Sequence, residues 1–458
     1  MATKKEKSTF KELSISNPRT EAAADLKAGL IELKYYESIL SNHVTSTMVL
    51  GDTGNTIGEG KNRKDLLNGL PVRGGEPVRM VLLDKNDNEL KFVGADGAFY
   101  VNRIKNVLTD TKKTLMQFDL CTKEFIGNEQ VRVQKRYSGK ISESVKKILK
   151  NVLKTKKPQD IEESSNSYNF IGNLKKPFYT LTWLASKSIP SDGAYGKSAG
   201  FFFFETKDGY QFKSIDSLIG PTKGGGSADS KISHKFEFTN LPDVREGWGK
   251  ILKYNVNRNI DVQEKLTIGA YNSRFTFFNP YTFVVKHKDI SMEKDQAKGK
   301  VKTAGTNLDF VAPEFTQSIT RGFSSVLDVG TLPVGKDAKE QVDNWRKKKD
   351  ETNDRVQDRM IQAVTRYNQI FSISVDIMIE GDFSLKAGDT IYCEFPEVSA
   401  QTKRPSRETS GLYLIASLCH KVTPSKTYTS LNLIRDSFGA QKPPKYSSSS
   451  SVEDVMLY

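Results

Sequence analysis

Apolar and polar positions alternate most strictly at 371–379, FSISVDIMI, where Phe371, Ile373, Val375, Ile377 and Ile379 share one face of an extended chain, the period of a half-buried β-strand. FSLKAGDTIYCEF, GLYLIASLCHKV and YTSLNLIRD continue this texture, with turns at Gly388-Asp389 and at Thr423 to Lys426. Residues 371–438 therefore read as the strands of a second small barrel. A first region of the same kind covers 31–138, where VTSTMVLG, PVRMVLLD, LKFVGADGAFYVNRIKNVL and KTLMQFDLCT are separated by Gly, Asn and Asp. That is the rhythm of a small antiparallel barrel or sandwich. Asp96-Gly97 ahead of the alternating AFYVNRI carries the signal of a short hairpin turn. Residues 1–30 are polar and patternless and read as a flexible N-terminal arm.

Between these regions the period changes. In ISESVKKILKNVLKTKKP, Val145, Ile148, Leu149, Val152 and Leu153 fall at three-and-four spacing ahead of Pro158, which predicts an amphipathic helix. PFYTLTWLASKSIP follows as a second helical or mixed segment, and 139–230 is read as a helix and hairpin insertion. Within it, Phe201, Phe202, Phe203 and Phe204 are too few for a buried helix and too uniform for a half-exposed strand, so they predict a strand covered on both faces. Glu205 to Gly209 supply a polar turn, and Tyr210 to Ile215, with Phe212 among them, return as the partner strand. Ser214 or Asp216 then caps a short helix ending near Gly220. PTKGGGSADSK (221–231) is a flexible connector.

Residues 231–295 return to β texture in HKFEFTNLP, KLTIGAYNSRFTFFNP and YTFVVKHKD, read as a segment contributing to the second half. The following stretch to 335 is read as loop. A long charged helix is expected over 338–370, with Val356, Met360, Val364, Tyr367 and Phe371 near one face. The Ser-rich tail, 439–458, ends in Val455, Met456, Leu457 and Tyr458, a candidate docking peptide on a tether.

Composition narrows the function classes. A chain of 458 residues with 37% apolar content is long enough for several ordinary domains. No stretch has the length of an apolar membrane span and the N-terminus lacks the apolar core of a signal peptide, so an intracellular address is the expectation. Cys121, Cys393 and Cys419 lack metal spacing and are expected as small buried residues, with neither a disulfide framework nor a zinc site. Lys plus Arg exceed Asp plus Glu, 69 against 55, for a net charge of +14. That excess fits nucleic acid or acidic protein partners, and much of it reads as solvated surface.

Residues in a pattern that could carry chemistry are few. Asn55 and Asn62 spoil a phosphate loop around Lys61, and Gly196-Lys197-Ser198 runs into a strand where such a loop needs a helix. His43, His234, His287 and His420 form no metal-binding pair. Cys419 and His420 are strand neighbours whose side chains point to opposite faces. Glu205 and Asp208 flank a turn and read as solvated acids. No catalytic, cofactor or metal residue is assigned. A cell-wall glycan hydrolase remains the alternative to a structural role, because sequence does not exclude a carboxylate pair; a nucleic-acid binder that stacks bases on the phenylalanines is a third reading.

Several segments together resemble the central baseplate hub proteins of contractile-tailed, T-even-like bacteriophages. The similarity lies in AGFFFFETKDGYQFKSIDSLI after LTWLASKSIP, in IGAYNSRFTFFNPYTF, and in FSLKAGDTIYCEFP with SGLYLIASLCHKVTPSKTYTSLNLIRDSFG, in that order. The resemblance implies an α+β, mainly β fold with two antiparallel β-barrel tube domains and helical insertions. It further implies a homotrimer whose six barrels form a ring between a tail tube protein hexamer and a trimeric spike protein, alongside other baseplate proteins. DNA would pass through the lumen without specific binding, and the protein would reside in the virion baseplate after assembly in the host cytoplasm.

Overall fold

The computed structural model describes residues 8–191, 200–219, 232–291, 318–326, 366–398 and 404–439, less gaps at 21, 55, 58–62, 240–243, 260, 279–282 and 438, with isolated positions between 293 and 353. The first half contains β1 (Thr9–Ser16), β2 (Ala23–Asp25), β3 (Leu30–Ser38), β4 (Thr45–Asp52), the single helical turn α1 (Leu66–Gly69), β5 (Pro77–Leu83), β6 (Glu89–Phe92), the turn α2 (Gly94–Gly97), β7 (Phe99–Thr109) and β8 (Thr114–Thr122). They form one antiparallel sheet in the order β2-β1-β5-β7-β8-β4-β3. Leu33, Met48 and Phe118 alternate into its core between more exposed strand neighbours, and Met80 and Phe99 join them there.

An inserted unit follows. It holds α3 (Lys123–Gln130), β9 (Arg136–Tyr137), α4 (Ile141–Lys147) running into a π-helical stretch (Ile148–Leu153), β10 (Gln159–Ile161), β11 (Phe170–Ile171), α5 (Pro177–Ala185), β12 (Phe201–Thr206), β13 (Gly209–Ser214) and α6 (Ile215–Ile219). Val145, Ile148 and Leu149 are fully buried, and Lys154 ends the helix in the left-handed conformation at φ 55°.

The second half comprises β14 (Ile232–Glu237), β15 (Gly249–Arg258), α7 (Val262–Thr267), β16 (Asn272–Phe278), β17 (Val285–Ser291), β18 (Arg321–Val326), β19 (Ile373–Glu380), β20 (Thr390–Glu394), β21 (Gly411–Val422) and β22 (Thr427–Arg435). Six of these strands close into a barrel, β21-β20-β14-β15-β19-β22, because β22 pairs back onto β21. The fold is mainly β. The two halves share one sheet: Ser417 to Val422 of β21 pair with Leu33 to Ser38 of β3, while Gly411 to Leu414 of the same strand pair with β20. The apolar core is correspondingly continuous, from Leu13 through to Leu433.

The halves repeat one another strand for strand. In chain order β3, β4, β5, β7 and β8 correspond to β15, β19, β20, β21 and β22, and the neighbours β7-β8-β4-β3 match β21-β22-β19-β15. The bulges recur as well: the break between Leu30 and Glu32 in β3 reappears between Ile251 and Lys253 in β15, and the break between Val101 and Arg103 in β7 reappears between Ile415 and Ser417 in β21.

Several expectations are corrected. Residues 9–25 of the supposed arm carry β1 and β2; Leu13 and Ile15 are buried, and a bulge between Phe10 and Glu12 breaks the alternation that would have revealed the strand. Asp96-Gly97 makes no hairpin. It lies in α2, which joins β6 to β7 along the same edge of β5, so the chain continues forward where a hairpin would reverse it. The second barrel is not wholly antiparallel, since β14 runs parallel to both β15 and β20. The first sheet, among the described residues, has no ladder between β3 and β1 or β2, so it is curled without closing. From 231–295 only β14 and β15 join the barrel; β16 and β17 form a separate three-stranded sheet with β18, which lies within the expected loop. The connector 221–231, most of the 338–370 helix and the tail with Val455, Met456, Leu457 and Tyr458 fall outside the described residues.

Candidate functional site

The β12-β13 hairpin sits where the inserted unit meets the junction of the two sheets. Its four phenylalanines alternate between two cores. Phe201 and Phe203 enter the insertion's own core beside Tyr210 and Phe212, while Phe202 and Phe204 enter a second core with Ile39, Tyr392, Leu414 and Ile434 of the barrel side. A strand with apolar layers on both faces needs this unbroken row, whereas a strand with one wet face would alternate. Phe201 and Phe212 lie 4.8 Å apart between ring centroids, and Phe203 and Tyr210 stack at 5.5 Å. Gly209 (φ 113°) makes the turn, and a Cβ there would lie 2.3 Å from the carbonyl oxygen of Pro158. Ser214 Oγ accepts from the Ser217 amide at the start of α6.

Buried charged groups lock the hairpin to both halves. Glu37 of β3 is 2% exposed. Its Oε1 accepts from the Tyr35 hydroxyl at 2.7 Å and the Lys207 amide at 2.6 Å, and its Oε2 from the Ala387 amide at 2.8 Å. Burial pushes the Glu37 carboxyl up to about 7, against the opposing pull of those hydrogen bonds and Lys207. Lys207 Nζ in turn donates to the carbonyls of Phe383 and Ser384. Asp208, beside it, is exposed, as expected of a turn acid, and pairs with Lys386 at 2.8 Å.

Glu205, expected as a solvated acid, is buried. It accepts from Lys157 Nζ at 2.6 Å, the Val44 amide at 3.1 Å and the Thr122 hydroxyl at 3.3 Å, and Lys157 also meets Glu124 at 2.9 Å. Burial raises the Glu205 carboxyl above its ordinary range, with Lys157 opposing. Burial likewise opposes the charge on Lys157, but its two carboxylate partners outweigh it and hold the ammonium above the usual lysine value. A third cluster joins Arg366 to Asp436 at 2.6 Å and to Asp216 of α6 at 3.7 Å, with all three side chains fully buried. Turn-flanking polarity in the sequence concealed the role of Glu205; the local signal available was the phenylalanine row that runs straight into it.

These groups tie and orient. Glu124 and Glu205 share one ammonium in the interior, so neither faces a cleft in which water or a glycan would react. The histidines lie on separate elements: His420 is buried against Thr429 at 2.9 Å and pushed down to about 3 by burial and Lys207, His43 stacks on Phe125 at 4.0 Å, His234 meets Ser384 at 3.0 Å, and His287 is exposed. Cys121 and Cys393 are buried and Cys419 half-buried. Among the described residues no group of three or more His, Cys, Asp or Glu is placed to hold a metal ion, and no helix is long and apolar enough to cross a membrane.

The outward face of the shared sheet is an unbroken wall. One cross-strand row runs Glu380, Tyr428, Lys421, Lys34, Thr47, Asp119, Arg103, each opposite the next from β19 to β7. Its charges are largely paired: Glu32 meets Lys34 at 2.5 Å and Lys421 at 2.6 Å, and Asp119 meets Lys105 at 3.2 Å.

Comparison with known proteins adds the following. No protein-family model and no curated protein sequence matches the chain. Solved structures do. The chain is similar to the 43 kDa tail protein of prophage MuSo2 from Shewanella oneidensis, with 9% identity, a TM-score of 0.48 and coverage of 93% of this chain and 98% of that one. It is similar to a tail protein from Neisseria meningitidis at 9% identity and a TM-score of 0.46, covering 93% and 96%. It is also similar to an Escherichia coli component of the type VI secretion system at 8% identity and a TM-score of 0.42, covering 94% and 76%. The neighbours are phage-tail and secretion-system proteins. At these identities the likeness concerns the fold alone.

Proposed function

We propose that the chain is a structural subunit of a contractile phage tail: a baseplate hub that assembles as a trimer into a pseudo-sixfold ring, joins the tail tube to the central spike, and leaves a channel for the genome. The observation that carries this reading is the duplicated half, β7-β8-β4-β3 followed by β21-β22-β19-β15, fused through β3 and β21 into one wall. Two equivalent units per chain are what a threefold assembly needs to match a sixfold one. The hub-like segments in the sequence point the same way. The paired charges on the wall suit a conduit, because a surface that grips a polyanion would slow its passage. The role is non-enzymatic and its place is the virion baseplate.

Light scattering on the purified chain with class averages from electron microscopy tests the proposal. Threefold or pseudo-sixfold rings are expected; a monomer at every concentration that also ignores tube and spike proteins would end it. The net charge of +14 is assigned to acidic partners, so association with tube or spike should slow as salt rises. Val455, Met456, Leu457 and Tyr458 are assigned to docking, and removal of 441–458 should weaken spike or tube association.

A further inference from the structure

The junction inside the chain is a template for a junction between chains. β21 gives its first residues, Gly411 to Leu414, to β20 and its later ones, Ser417 to Val422, to β3. Its counterpart β7 gives Phe99 and Tyr100 to β5. Beyond Val101, on the side away from β8, β7 meets no strand among the described residues. The counterpart of β3 is β15, which gives Gly249 and Lys250 to β14 and, from Ile251 on, borders only β19. Each half thus ends in a bare strand edge at the very place where, within the chain, the matching edges are joined.

Both bare stretches are open to solvent: Val107 is 57% exposed, Leu108 46% and Leu252 39%. Unpaired backbone donors and acceptors along such stretches are templates for another strand. Direction also fits. Every neighbouring pair from β7 through β8, β4, β3, β21, β22 and β19 to β15 is antiparallel. The row has an even number of strands, so β7 and β15 run oppositely, and a copy rotated about an axis along the wall meets β15 antiparallel, like every other pair in it.

We propose that the chain binds further copies of itself by adding β7 of one subunit to β15 of the next, in the register that joins β21 to β3. This rests on the ring reading and deepens it by naming the seam. Cys419 lies opposite Tyr36, and Lys421 opposite Lys34. Followed through the matching ladders, Cys419 corresponds to Lys105 and Lys421 to Leu108, while Tyr36 corresponds to Asn257 and Lys34 to Asn255. Asn257 therefore faces Lys105 of the partner subunit, and Asn255 faces Leu108 of the partner subunit. No like charges stand opposite each other in this register.

Two full-length variants that each add one cysteine to the native three, Lys105→Cys and Asn257→Cys, are mixed under mild oxidation and compared with a mixture of Lys105→Cys and Lys253→Cys, whose target lies about 13 Å further along the strand. Peptide mapping identifies the linked cysteines, and light scattering on the unmodified chain reports assembly. The expected result is at least tenfold more of the 105–257 disulfide than of the shifted one. In the unmodified chain, amide exchange over 102–109 and 252–258 should slow at least tenfold on assembly, a readout that needs no variant. If rings form without the preferred disulfide and without that protection, the seam is wrong and the ring stands. If no oligomer forms under any condition, both fail.

Discussion

Glu37 offers the sharpest physical test of how the hairpin is held. Burial pushes its carboxyl up to about 7 in the folded chain, against 4.5 for the free group. Between those values the folded state keeps a proton that the unfolded state has released. Folding stability therefore falls as pH rises through this window and levels off above it; below 4.5 the group has no effect. The full penalty at high pH is about 3 kcal/mol, from ~1.4 kcal/mol for each tenfold change in proton affinity. Replacement by Gln removes the titration but creates a different fault. One amide-bearing position must face either the Ala387 or the Lys207 backbone N–H, both of which now donate to Glu37, and a buried donor left unmade costs about 1–3 kcal/mol.

Urea unfolding of the native protein and Glu37→Gln at about pH 5 and about pH 8 separates the two effects, because all other titrations cancel in the difference. At the lower pH the native protein should be more stable by ~1–3 kcal/mol. At the higher pH that advantage should shrink by ~2–3 kcal/mol or reverse. Amide exchange at Lys207 and Ala387 locates the change in the hairpin turn and the 386–389 turn. A difference that stays within ~0.5 kcal/mol across the range would show a carboxylate ionised throughout, and the account of burial outweighing three donors would be refuted.

Further outcomes follow from the same contacts. Lys157→Met should cost about 3–5 kcal/mol near neutral pH, because Glu124 and Glu205 then share no cation, and less in acid, where Glu205 takes up a proton; equal losses at both pH values would contradict this. Phe212→Ala, in a fully buried ring against Phe201, should cost about 3–5 kcal/mol by chemical denaturation, and a loss under ~1 kcal/mol would mean the core collapses around the gap. Gly209→Ala must hold φ 113° and place a methyl against the Pro158 carbonyl, so it should open the Tyr210 N–H to Pro158 hydrogen bond, seen as faster exchange at Tyr210.

What the sequence revealed depended on which forces are local. Ile373, Val375, Ile377 and Ile379 show their strand because one face is core and the other is wet, and the phenylalanine row shows its strand because both faces are core. The bulge between Phe10 and Glu12 hid β1 by shifting the period, and the parallel placing of β14 has no local signature at all. Glu37, Glu124 and Glu205 were illegible as tethers, since an acid in a turn, strand or helix reads as solvated until its distant partner is known, and these partners lie at least 31 residues away.

The repeat left even less trace in the sequence. LIELKYYES of β3 and ILKYNVNRN, which begins at Ile251, share almost no residues at matching positions, yet both carry the bulge after their first residue and both present alternate side chains to the core. What has to be preserved between the halves is backbone: strand length, bulge position and the edge left for a neighbour. Side chains are then free to differ, because β3 must bury Tyr35 and Glu37 beneath the hairpin, whereas β15 ends in Asn255, Asn257 and Arg258 at the surface. The difference falls where the two edges have different occupants, one supplied by the same chain and the other left bare. A duplicated sheet whose halves diverge in this way is one in which the shape of the wall, and not the chemistry of any single side chain, constrains the sequence.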